Sequence, residues 1–158
     1  MHAAARGQPR GRRVVQVRNR EPSVADFVHY VPTESAVRKV RAWATRGAHI
    51  AYLSSHLRDE AVAADMAVLA RSEFPPGEIL HRREGETYVD LVARARLDIL
   101  VEDDCESIGG AALIIYPNLP AANQEQLRSV VVREFEGLSS LPDDPRQLGL
   151  QEDPESKE

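Results

Sequence analysis

"DILVEDDCESIGG", residues 98–110, reads as a short apolar strand that runs into three consecutive acids and then a loop with paired glycines. Neighbouring carboxylates repel one another unless water, a cation or hydrogen-bond donors share the charge. Glu102, Asp103 and Asp104 at the mouth of a buried strand are therefore either solvated loop acids or ligands of a metal.

Working outward, apolar strands alternate with amphipathic helices. "PTESAVRKVRAWATRG" has Thr33 as N-cap, Val37, Val40 and Ala44 on one face, and Gly47 as a stop. "HIAYL", residues 49–53, is a central strand, and "SSHLRDE" leaves it. A helix over 58–72 aligns Val62, Met66 and Leu69, and "EIL" at 78–80 is a short strand. A helix over 86–96 aligns Tyr88, Leu91, Val92 and Ala95 ahead of the strand at 98–102. Then come the apolar run "AALIIY", a short helix in "AANQEQLRS", and a last strand at 129–133.

This alternation predicts an α/β protein, a Rossmann-like parallel sheet with helices on both faces. Ligands of such sheets gather at the carboxyl ends of the strands. Ser54-Ser55-His56 and Asp103-Asp104 both leave strands there.

The 158 residues set one domain with a substantial core. Residues 1–30 read as a basic, poorly ordered arm, 31–137 as the α/β domain, and 138–158 as an acidic, disordered tail. The net charge of −5 argues against a general nucleic-acid binder, despite six arginines in the first twenty residues. No apolar run approaches the roughly 18 residues of a membrane span. The arginine-rich start lacks the apolar stretch of a secretory signal, and one cysteine, Cys105, fits a reducing cytoplasm.

An apolar strand ending in serine, followed some fifty residues later by one ending in paired aspartates, resembles the haloacid dehalogenase-like (HAD) phosphohydrolases across about residues 31–135. "HIAYLSSH" is similar to that superfamily's second motif, with Ser54 in the serine position, and "DILVEDD" to its fourth. The resemblance implies a small phosphorylated metabolite or nucleotide as substrate. It also implies magnesium held by Asp103 and Asp104, and Ser54 on a phosphoryl oxygen. In the family a nucleophilic aspartate attacks phosphorus and a second, two residues on, moves the proton; these are covalent and electrostatic catalysis.

The departures matter as much. No DxDGT-like run precedes Ser54: "VVQV" at 14–17 leads into "RNREP", and Asp26 lacks the pattern. The third-motif lysine is absent, because Lys39 and Lys157 lie elsewhere. Arg82 or Arg83 can replace it, and Arg83 joins Ser54, Asp103 and Asp104 as the candidate catalytic set.

Two explanations of the missing nucleophile are open. The chain is a non-catalytic HAD-like module binding a ligand or a protein, or Met1 and His2 fall just downstream of a lost central strand that carried the aspartate. Ser54 as a mere helix cap, His56 as a surface residue and Glu106 as a solvated acid are the plain readings of those side chains. Cys105 among acids is a poor nucleophile, since the negative field raises a thiol's pKa, and Gly109-Gly110 serves a tight turn.

Overall fold

The computed structural model describes residues 13–17, 34–106, 109–133 and 136–149. Five strands form one sheet: β1 (Arg13–Val17), β2 (His49–Ser54), β3 (Glu78–His81), β4 (Ile99–Asp103) and β5 (Arg128–Val132), in the order β3-β2-β1-β4-β5. All neighbouring pairs are parallel. Among the described residues four α-helices connect or follow them: α1 (Glu34–Thr45), α2 (Asp59–Arg71), α3 (Tyr88–Ala95) and α4 (Ala121–Gln126).

Parallel strands are joined by right-handed crossovers, which puts α1 and α2 on one face and α3 and α4 on the other. Hydrogen bonds between helices agree: Arg41 Nη2 donates to the Glu73 carbonyl beyond α2 (2.6 Å), and Asn123 Nδ2 on α4 to the Ala93 carbonyl on α3 (3.1 Å). Between the layers, Trp43, Leu53, Leu91, Ile99 and Leu100 are almost completely sealed from water. Strands β2 and β4 are buried nearly throughout, as strands covered on both faces must be.

The middle of the sheet corrects the expectation of a missing central strand. Segment 13–17, assigned from sequence to the basic arm, is β1 and lies between β2 and β4. Flanking arginines and Gln16 break the apolar run by which a central strand is usually recognised. Backbone pairing places it all the same: five residues of β1 match His49–Leu53, and Gln16 pairs with Val101. The rest of the expected arm lies outside the described residues.

The expected disordered tail is also corrected over 138–149. Leu138 and Leu148 are 1% and 0% exposed and belong to the core. The segment forms a strap between α1 and β5. Trp43 Nε1 donates to the Pro142 carbonyl (2.8 Å), Lys39 Nζ to the Leu141 carbonyl (2.6 Å), and Arg128 Nη1 to the Leu148 carbonyl (3.0 Å). Buried Lys39 also pairs with Asp143. Acid and proline content suggested disorder, but three spaced leucines supply the apolar contact that such tails lack. Residues 150–158 lie outside the described residues.

Two smaller differences have local causes. Helix α2 buries Val62, Asp65 and Val68, leaving Met66 half exposed, so its inward face is turned one position from the predicted one. The "AALIIY" run forms 3₁₀ turns at Gly110–Leu113 and Tyr116–Asn118. Its Ile115 and Tyr116 N–H groups bond to the Glu102 carboxylate instead of to a neighbouring strand.

Because Leu148 is fully buried, Leu148→Ala should cost about 2–5 kcal/mol of stability. Chemical denaturation checks this; a change below about 0.5 kcal/mol would mean that the strap is not part of the core.

Candidate functional site

Strand order reverses at β1, since the chain moves outward through β2 and β3 and then crosses to β4. The crevice outside the carboxyl ends at such a reversal is the usual ligand site of open parallel sheets. Gln16 is level with Tyr52 on one side and Val101 on the other. Ser54 and Asp103 each lie two residues beyond that level, so both stand on the carboxyl edge flanking β1. Two strand spacings separate them by roughly 10 Å. Their outer neighbours on this edge are His81 and Val132.

On the β2 side, three polar groups close on one another. Ser54 Oγ donates to Asp65 Oδ2 (2.7 Å) and accepts from the His56 backbone N–H (3.2 Å). His56 Nδ1 is 3.0 Å from Asp65 Oδ2 and 3.2 Å from Ser54 Oγ. A carboxylate can only accept, so Nδ1 carries the ring proton. This is not the relay of a serine hydrolase, in which serine and acid sit on opposite ring nitrogens. Ser54 is 3% exposed and its proton is committed to Asp65. It does not cap α2, whose N-cap is Arg58 with no side-chain hydrogen bond.

On the β4 side, the three acids have separate tasks. Glu102 is buried and accepts from the N–H groups of Ile115 (2.8 Å) and Tyr116 (3.2 Å), holding the segment after β4 against the strand. Burial pushes its pKa up, and these two bonds oppose that shift. Asp103 Oδ1 accepts from the Cys105 N–H (2.8 Å) and Asp104 Oδ1 from the Glu106 N–H (3.3 Å). Cys105 takes a left-handed backbone (φ 51°), an uncommon conformation for a side-chain-bearing residue.

Tyr88 is the first residue of α3, whose helix begins with a reciprocal Thr87–Asp90 cap. Burial raises its pKa most, and the negative field of Glu102, Asp103, Asp65 and Cys105 adds to the shift.

The turn leaving β3 is firmly braced. Arg94 grips Glu86 with two bonds (2.6 and 3.0 Å) and reaches the His81 carbonyl (3.3 Å), while Glu86 accepts from the Arg83 N–H (2.8 Å). Arg82 Nε donates to the Ser55 carbonyl (2.9 Å), which brings this arginine to the serine loop, whereas Arg83 is exposed.

The structure thus brings Ser54 and Asp103 to one edge, with Asp104 following and bonded through its N–H to the Val132 carbonyl (2.9 Å). Sequence reasoning missed Asp65 and Tyr88 and read His56 as a surface residue. An aspartate inside the apolar stripe of α2 was the available signal. Among the described residues no group of three or more His, Cys, Asp or Glu side chains could hold a metal ion. Asp103 and Asp104 each use one carboxylate oxygen on a backbone N–H of the turn, and magnesium is commonly held by one or two carboxylates together with a substrate phosphate.

No family model matches the chain, and no curated protein or solved structure matches it either. Among the described residues no helix is long and apolar enough to cross a membrane.

Glu86 has its pKa lowered from 4.5 to about 2, chiefly by the hydrogen bond from Arg94. A depressed carboxylate pKa stabilises the fold above the ordinary value and loses that contribution as pH falls through the folded one. Glu86→Gln should therefore be less stable than the parent at pH 7, with the gap closing as pH approaches about 2. Denaturation at a series of pH values reads it; a gap independent of pH would contradict the assignment.

Proposed function

We propose that this chain is a HAD-like domain with a Rossmann-like sheet that binds a small phosphorylated metabolite or nucleotide without hydrolysing it. The observation that carries this reading is the end of β1. The strand is central and is flanked by Ser54 and Asp103 on the carboxyl edge. Yet the residues following Val17 in sequence are Arg18, Asn19, Arg20 and Glu21, with no aspartate before Asp26. Covalent phosphoryl transfer of the HAD type needs an aspartate there, because its carboxylate becomes the phosphoryl acceptor. With that group absent the step itself is lost.

What remains suits binding. The β2–β3 half of the edge offers His56, His81 and Arg82, whereas the β4 half is acidic. A phosphate is expected on the β3 flank of the first half, toward His81 and Arg82 and away from Asp103 and Asp104, since like charges repel. Asp103 and Asp104 are the place for a cation accompanying that phosphate, and a two-carboxylate site binds magnesium only weakly. A purely protein-binding role is the second reading, and it predicts no response of this edge to phosphate.

With an aryl phosphate and magnesium, the full chain should show no turnover above a blank, and Asp103→Asn should behave identically. Robust turnover that disappears in Asp103→Asn would overturn the non-catalytic reading.

A further inference from the structure

We propose that residues 138–149 form a hinged strap that opens as one unit while the sheet stays closed, and that the ion pair between Lys39 and Asp143 is the contact that holds it shut. The inference is independent of the phosphate reading above.

The way the strap is attached carries the first part. Among the described residues its backbone-to-backbone hydrogen bonds are all local: Leu141 N–H to the Leu138 carbonyl (3.1 Å), Gln147 to Asp144 (3.0 Å) and Leu148 to Pro145 (3.4 Å). Side chains tie it to the rest of the chain. Lys39 and Trp43 of α1 donate to the carbonyls of Leu141 and Pro142, and Arg128 of β5 to those of Arg146 and Leu148. Releasing these bonds breaks no rung of the sheet and no helix hydrogen bond, the condition for opening below the global unfolding threshold. Glycines in left-handed conformations bound the segment, Gly137 (φ 67°) and Gly149 (φ 68°), and a glycine rotates there with little steric resistance. Opening carries the buried Leu138, Pro145 and Leu148 away from the core and uncovers the apolar surface that they seal.

Charge carries the second part. The Lys39 side chain is 4% exposed, and among the described residues Asp143 is the carboxylate paired with it. A buried charge that loses its partner is strongly destabilising. Lifting the strap takes away Asp143 and the Leu141 carbonyl together, so the ammonium resists opening until water replaces both. The same hydrogen bond from Lys39 holds the Asp143 carboxyl below its ordinary range. Arg38 stands 3.7 Å from Asp143 but is exposed, and such pairs contribute little. Asp144 is taken by Arg146 within the strap itself.

Native-state amide hydrogen exchange of the full chain, followed by NMR at several low denaturant concentrations, tests both parts. The hydrogen-bonded amides of Leu141, Arg146, Gln147 and Leu148 should share one opening. It should be populated about a hundredfold or more above the opening of Leu100–Val101, with a smaller denaturant slope. Asp143→Asn should raise the strap opening about tenfold or more and leave the Leu100–Val101 amides within about twofold. Adding Lys39→Met should reverse most of that rise, because the charge then leaves with its partner. Strap amides that exchange with the population and slope of Leu100–Val101 in the parent chain overturn the hinged strap, and that measurement needs no variant. Strap amides unchanged in Asp143→Asn, or sheet amides that rise with them up to global unfolding, overturn the ion pair as the holding contact. So does a double variant as open as Asp143→Asn alone.

Discussion

A parallel sheet cannot carry a gap in its middle. Each unpaired inner edge would bury a row of N–H and C=O groups, and every such group left without a partner costs roughly as much as a lost hydrogen bond. The pairing of Arg13–Val17 with β2 on one side and β4 on the other is therefore the contact on which the rest depends. It makes one sheet of β3-β2 and β4-β5 and sets the level at which Ser54 and Asp103 end.

Most polar groups at that edge are used by the fold. Asp65 and Ser54 satisfy one another, and Glu102 spends both oxygens on the segment after β4. Burying such groups is tolerable only because their bonds are made. They shape the crevice without being its reactive atoms. Arg82 is half-buried and donates through Nε to the Ser55 carbonyl.

Much of this was legible in the sequence because period and punctuation are local. The helix of Glu34–Thr45, the strand at 49–53, the acids that end β4 and the parallel direction were all readable from apolar spacing, whereas the expected Thr33 cap lies outside the described residues. Strand β1 was not, because five residues flanked by arginines and interrupted by Gln16 acquire their identity from the two strands beside them. The strap failed for a related reason: Leu138 and Leu148 sit in an acidic, proline-bearing segment whose order comes from Lys39 and Trp43, about a hundred residues earlier. In the site, the end positions of Ser54 and Asp103 could be read from strand boundaries. The preference for Arg82 over Arg83 could not, since adjacent arginines differ only in which way the turn at 81–86 presents them.

Amide hydrogen exchange of Val14–Val17 tests the central claim most directly. A strand paired on both sides opens only when the sheet does, so these amides should exchange as slowly as those of Ile50–Leu53 and Leu100–Val101. Exchange of Val14–Val17 at the rate of an unstructured peptide, while the β2 and β4 amides stay protected, would show that the sheet holds together without β1. The account of the edge built around that strand would then be wrong.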